Sequence, residues 1–219
     1  DRIGRSQIEV KTIQTYLSQF PNFQIPELLK VKELALSNQI PLVDDEVGYL
    51  LYLFSSLKKP KNILEIGFGS GYSTLWMAYG SPGSKILTLD KNPDRYSLGL
   101  KTLEKFSFDI TLKNDDARQF LNTDLPCFDM VFIDGVKSQY MQYVMLLENN
   151  NKMTPGAVVI ADNIYYRGKY NEENLSPRKK KELKKLENFS EFISHHPKFH
   201  TFFLTAGDGL SVSLYQGGY

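Results

Sequence analysis

A chain of 219 residues, with 42% hydrophobic and 23% charged side chains, has the balance of one packed globular domain and excludes a disordered or fibrous chain. A formal net charge of +1 supplies no whole-molecule field that would demand a nucleic acid or a membrane, and the single cysteine, Cys127, excludes an internal disulfide. The longest apolar stretches are strand-sized, well short of the ~20 residues that a membrane-crossing helix needs.

The chain starts Asp1-Arg2-Ile3-Gly4-Arg5, with neither an initiator methionine nor a signal-peptide apolar core. A trimmed or renumbered start and a cytoplasmic location are the expectations. Apolar residues at helical spacing predict helices over Ile8 to Phe20 and Glu27 to Asn38, with Pro21 and Pro26 punctuating the gap. Asp44 is placed to cap a third helix running through Val47, Leu50, Leu51 and Phe54 to Leu57.

From Asn62 the pattern changes to short apolar runs separated by helical stretches. The runs are Ile63 to Ile66, Ile86 to Leu89, Ile110 to Leu112, Met130 to Ile133 and Val158 to Ala161. Continuous apolar strands of this kind predict parallel strands covered on both faces, joined by right-handed crossovers. Pro177 to His195 predicts a long helix with a basic start. Phe199 to Leu204 and Leu210 to Tyr215, joined by Thr205-Ala206-Gly207-Asp208-Gly209, predict an antiparallel hairpin. The expected fold is therefore α/β: a Rossmann-like, seven-stranded, mostly parallel doubly wound sheet that ends in an antiparallel C-terminal hairpin. A single domain over 1–219 is expected, with an N-terminal helical cap (1–59) on the ligand-binding and catalytic sheet (60–219).

Ligands of such sheets lie beyond the carboxyl ends of the strands, so the residues after each run carry the functional signal. The first run is followed by Gly67-Phe68-Gly69-Ser70-Gly71-Tyr72-Ser73, a turn in which backbone and ligand can approach closely before a helix N-terminus. The third glycine falls one place early for the Gly-x-Gly-x-x-Gly fingerprint of a nicotinamide oxidoreductase. Glu65 at the strand end would repel a pyrophosphate and better tolerates a cationic or amine-bearing ligand. Asp90 after the second run can take both hydroxyls of a ribose, or cap the helix that opens at Pro93. Asn114-Asp115-Asp116-Ala117 after the third can grip an adenine edge, with Asp116 equally suited to cap the helix through Phe120.

The fourth run leads into Asp134-Gly135-Val136-Lys137 and the fifth into Asp162-Asn163. Two carboxylates and an amide oxygen on neighbouring strand ends make a hard-oxygen set suited to Mg²⁺, Mn²⁺ or Ca²⁺; loop capping is the alternative for each residue taken singly. His195, His196 and His200 show no zinc spacing and read as surface or packing residues.

Taken together, Leu64-Glu65-Ile66-Gly67 with Gly71-Tyr72-Ser73, Ile133-Asp134-Gly135-Val136-Lys137, Ala161-Asp162-Asn163 and Gly207-Asp208-Gly209-Leu210 resemble the cation-dependent class I O-methyltransferases, the caffeoyl-CoA and catechol O-methyltransferase group. The resemblance runs from about Asn38 to the C-terminus. Ile40-Pro41-Leu42-Val43, Asp162 to Gly168, Phe189, Phe192 and His196-Pro197 are similar to the bacterial tRNA 5-hydroxyuridine branch, whose members act on a wobble nucleoside.

The resemblance implies S-adenosylmethionine as cofactor, contacted by Val43, Glu65, Gly67, Ser73, Asp90, Ala117 and Asp134. It also implies a divalent cation held by Asp134, Asp162 and Asn163, Lys137 as general base, and a homodimer. Two departures stand out: Gly135-Val136 where the group has Ala-Asp or Ala-Ala, and the extra glycine Gly69 in the first turn. The expected activity is metal-dependent O-methylation of a catechol-like or other hydroxyl. An RNA acceptor is the alternative, supported by Arg178, Lys179, Lys180, Lys181, Lys184 and Lys185 on one helix, which could track phosphates or simply form a solvated face. A non-catalytic S-adenosylmethionine-binding protein is the alternative of another class. The segment from Tyr165 to Pro177 is expected to border the acceptor.

Overall fold

The structure, a computed structural model, describes residues 16, 19–20, 23–166, 168 and 175–217. The first expected helix therefore lies outside the described residues except for Tyr16, Gln19 and Phe20. The second is α1 (Pro26–Ser37), with Pro26 in its first turn, where a missing N–H leaves no hydrogen bond unmade. It buries Leu28, Val31 and Ala35, one face at helical spacing. The third is α2 (Asp45–Lys58). Asp44 stands at its N-cap position but makes no side-chain capping bond, a correction to its expected role.

Seven strands form one sheet: β1 (Asn62–Ile66), β2 (Lys85–Leu89), β3 (Ile110–Lys113), β4 (Phe128–Ile133), β5 (Met153–Ala161), β6 (Phe199–Leu204) and β7 (Leu210–Tyr215). Their order is β3-β2-β1-β4-β5-β7-β6. The first five are parallel, while β7 runs antiparallel to both β5 and β6, as the hairpin pattern predicts. The chain reverses its direction of travel across the sheet between β1 and β4, the place where sheets of this topology open a ligand crevice.

The helices α3 (Tyr72–Gly80), α4 (Pro93–Leu103), α5 (Ala117–Phe120), α6 (Tyr140–Asn149) and α7 (Pro177–His195) connect the strands. Alternation along the strands feeds two cores. Ile63, Met130, Phe132 and Ile160 pack with Leu28, Val47, Leu51 and Leu75 of α1 to α3. On the other face Leu64, Val131, Ile133 and Val159 pack with Val144 and Leu147 of α6 and Leu186 and Phe189 of α7.

β5 is longer than the apolar run predicts. It starts at Met153 and passes through Pro155 and Gly156 (φ +79°), where the pairing with β4 shifts register between Phe128 and Met130. Proline and glycine interrupt the hydrophobic signal at the irregularity that tolerates them.

Candidate active site

The registers bring the parallel strands to a common edge: Leu89 pairs with Lys113 and Ile66, and Ile133 pairs with Ile66 and Ala161. The ladder continues one residue further, since Asp90 N donates to Lys113 O (3.1 Å), Asp134 N to Ile66 O (2.9 Å) and Asp162 N to Ile133 O (3.0 Å). Asn114, Asp90, Gly67, Asp134 and Asp162 thus stand in one row, on strands about 4.8 Å apart. Because β7 is antiparallel and begins opposite Ala161, the hairpin turn joins the same edge: Tyr165 N donates to Asp208 O (3.0 Å) and Ile164 N to Gly209 O (3.1 Å).

Gly67 lets this row close up. Its φ is +107°, and a Cβ there would lie 2.3 Å from the Asp134 carbonyl oxygen, so both backbone sign and space demand glycine. The additional glycine, Gly69 (φ +59°), donates its N–H to Asp90 Oδ2 at 3.1 Å. The other Asp90 oxygen accepts from Asn92 N at 2.9 Å. The helix cap at Pro93 is Asn92, whose side chain accepts from Asp94 N and Arg95 N, so Asp90 is not the cap; its carboxylate instead fixes the glycine turn from the wall of an adjoining cavity.

Glu65 lies beneath the turn with no exposed surface. It accepts from Ser73 Oγ (2.6 Å), Thr88 Oγ1 (2.5 Å) and Thr74 Oγ1. Burial pushes its carboxyl up to about 7, against the pull of the three hydroxyls and with some help from the charge of Asp134. Two of the residues expected at the cofactor, Glu65 and Ser73, therefore bind each other. Ser73 and Val43 line a narrow recess against Gly67 and Ser70, whereas Glu65 supports the recess from behind. In that recess Ser70 Oγ is buried without a hydrogen-bond partner.

A cavity of about 370 Å³ opens along the row, walled by Pro41, Leu42, Gly67, Arg95, Asp134, Lys137, Asn163, Tyr166 and Asp208. It shares Gly67, Arg95 and Asp134 with a second cavity of about 170 Å³ that holds Asp90, Asp116, Ala117 and Tyr143. In the second cavity Asp116 caps α5, accepting from Arg118 N, while Ala117 forms the wall.

Lys137 Nζ donates to Asp134 Oδ1 (2.6 Å), Asn163 Oδ1 (2.5 Å) and the Tyr140 hydroxyl (2.8 Å). Tyr140, wholly buried, in turn donates to the Asp162 carbonyl at 3.1 Å. Burial, then the charges of Asp134 and Asp162, hold its phenol well above the usual range. Asp162 is 1% exposed and takes Asn163 N on Oδ1 at 2.6 Å; burial and the nearby Asp134 raise its carboxyl, while Lys137 lowers it. Asn163 has φ +54°, a left-handed conformation that asparagine tolerates and that a functional strand end can retain. Among the described residues no three His, Cys, Asp or Glu side chains group as metal ligands; the set here is two carboxylates and an amide.

Val43, Gly67, Ser73, Asp90, Ala117, Asp134, Lys137 and Asn163 line the cavities of this edge, while Glu65 and Asp162 lie buried beside them. Three further residues carry no signal of a role in the sequence: Asp208, which arrives by the antiparallel hairpin, Arg95 from the first turn of α4, and Tyr140. The histidines are elsewhere: His196 packs between Phe192 and Phe199 and meets Glu148 at 3.2 Å, and His195 and His200 are exposed. Of the expected acceptor segment, residues 167 and 169–174 lie outside the described residues. No helix among the described residues is long and apolar enough to cross a membrane.

The family model described as O-methyltransferase matches residues 17–215. A catechol O-methyltransferase of Niastella koreensis is 28% identical over 173 residues, covering 75% of this chain and 77% of that one. A caffeoyl-CoA O-methyltransferase of Medicago sativa is 28% identical over 181 residues, covering 75% and 71%. The crystal structure of an O-methyltransferase from Bacillus cereus in complex with SAH superposes with a TM-score of 0.77 at 23% identity, covering 93% and 97%, a likeness that speaks for the fold.

Proposed function

The chain belongs to the O-methyltransferase family, and from that premise we propose that it transfers a methyl group from S-adenosylmethionine to a hydroxyl oxygen of a catechol-like acceptor, with a divalent cation held by Asp134, Asp162 and Asn163. The observation that carries this reading is the continuity of the site. Lys137, Asp134 and Asn163 face the same cavity as the Gly67 turn, and Asp134 also walls the cavity of Asp90 and Ala117.

The residues fit the cofactor. Gly67 leaves backbone bare where a Cβ could not be accommodated, Ser70 Oγ offers a buried hydroxyl without a partner, and Asp90 lies at a strand end suited to a ribose. They also fit a hard cation, because every donor in the set is an oxygen. Bound here, S-adenosylmethionine would supply a sulfonium methyl and the cation a Lewis acid that lowers the pKa of an acceptor hydroxyl.

The chain's own contribution is positioning. Gly69 N–H and Asn92 N–H orient the Asp90 carboxylate, and Glu65 with its three hydroxyls fixes the turn above it. Lys137 faces the acceptor side of the cavity and is placed to take the acceptor's proton. With Asp134, Asn163 and Tyr140 all accepting from it, it has the partners of an ammonium and must first shed a proton to act as a base.

Removing divalent metal with a chelator should abolish methyl transfer, and Mg²⁺ or Mn²⁺ should restore it; full turnover in chelated buffer would contradict the metal assignment. A homodimer and a cytoplasmic location complete the proposal.

A second reading, a tRNA acceptor, draws on one observation. The six cations from Arg178 to Lys185 are exposed on α7, and the Tyr166 hydroxyl on the cavity wall bonds Glu182 of that helix. Arg178 and Lys184 are paired with Glu182 and Glu187, which weakens the field. tRNA binding that falls steeply between low and moderate salt would favour this reading, and no binding at low salt would remove it.

A further inference from the structure

Two of the three residues assigned above to a divalent cation are bound, through one oxygen each, to a cation of the chain's own. Lys137 Nζ bonds Asp134 Oδ1 at 2.6 Å and Asn163 Oδ1 at 2.5 Å, and its third acceptor is the Tyr140 hydroxyl at 2.8 Å. An ammonium carries three N–H groups, so these acceptors use all of them. The lysine is held rather than loosely draped: its side chain is 21% exposed, and Nζ lies 5.3 Å from the centroid of the Tyr140 ring. Tyr140 is in turn fixed by full burial and by its bond to the Asp162 carbonyl.

A small divalent ion bonds its oxygens at about 2.0–2.2 Å, and an ammonium kept on the same oxygens would be pressed against a like charge. We infer that Lys137 is a built-in competitor for the cation site: its ammonium and the divalent ion hold the Asp134 and Asn163 oxygens in alternation. Entry of the metal would leave the lysine with the Tyr140 hydroxyl as its remaining anchor, on the wall of the cavity that it already lines. This rests on the metal reading proposed above. It gives Lys137 two duties, holding the Asp134 and Asn163 oxygens before the metal binds and serving the acceptor afterwards. It also explains why a buried tyrosine sits three residues after the lysine, within reach of both β4 and β5.

The test is Mn²⁺ binding, followed by calorimetry and by the electron paramagnetic resonance of free Mn²⁺. It uses the full chain with S-adenosylhomocysteine present and compares wild type with Lys137→Met, Lys137→Gln and Asp162→Asn. Thermal melting confirms that each variant is folded. Lys137→Met and Lys137→Gln should each lower the Mn²⁺ Kd by about ten-fold or more, while Asp162→Asn should weaken binding. An unchanged or weaker affinity in both lysine variants would overturn the competition and leave the metal reading standing. Failure of all four proteins to bind Mn²⁺ would overturn both.

Discussion

Glu65→Gln isolates the energetic consequence of placing a carboxyl beneath the glycine turn. In the fold Glu65 is wholly buried and its carboxyl is pushed up to about 7 from 4.5, chiefly by desolvation. The unfolded chain therefore releases this proton at lower pH than the native protein does. Below about pH 4.5 both states hold the proton and the group costs nothing. As pH rises toward 7 only the unfolded state ionises, and stability falls; above 7 both are ionised and the loss levels off. Raising the carboxyl from 4.5 to about 7 corresponds to roughly 3 kcal/mol. Glutamine keeps the shape, and its amide can serve Ser73, Thr74 and Thr88 without ionising. Urea unfolding of both proteins at pH 5 and pH 8 reads the effect directly: the stability of Glu65→Gln relative to wild type should rise by about 2–3 kcal/mol between the two. A difference that stays constant across that range would refute the claim that burial holds the Glu65 carboxyl up.

Gly67→Ala should destabilise the fold by about 2 kcal/mol or more and abolish binding of S-adenosylhomocysteine in calorimetry, because its Cβ would lie 2.3 Å from the Asp134 carbonyl at φ +107°. Ser70→Ala removes a hydroxyl with no partner, so melting should be unchanged while cofactor affinity weakens. Tyr140→Phe leaves the buried Asp162 carbonyl and one Lys137 N–H unmet, which should cost about 1–3 kcal/mol in urea unfolding and lower kcat while leaving cofactor Kd unchanged.

The strand ends were legible because parallel strands covered on both faces are written as unbroken apolar runs. The residue directly after the second, fourth and fifth runs, Asp90, Asp134 and Asp162, is therefore placed on one edge by the pattern alone. The row also accounts for Asn163 and Lys137, which follow within three residues. What stayed hidden depends on pairings between distant segments. Asp208 reaches the cavity only because β7 runs antiparallel and starts opposite the end of β5. Tyr140 became meaningful only once β4 and β5 were neighbours, with its hydroxyl bridging Lys137 and Asp162. The direction in which Glu65 points was also beyond the sequence. Thr88 binds it across the β1–β2 pair and Ser73 from the helix above, turning a residue expected in the wall into one behind it. The extra glycine at 69, which read as a departure, serves as the amide that binds Asp90.

The most direct measurement uses S-adenosylmethionine labelled in its methyl group, incubated with the protein and Mg²⁺, against a panel of catechols and against total tRNA, with and without chelator. Label should pass to a catechol oxygen, and only when metal is present. Label that enters tRNA alone would contradict the acceptor, and transfer that ignores the chelator, or no transfer to any pool, would contradict the chemistry assigned to Asp134, Lys137, Asp162 and Asn163.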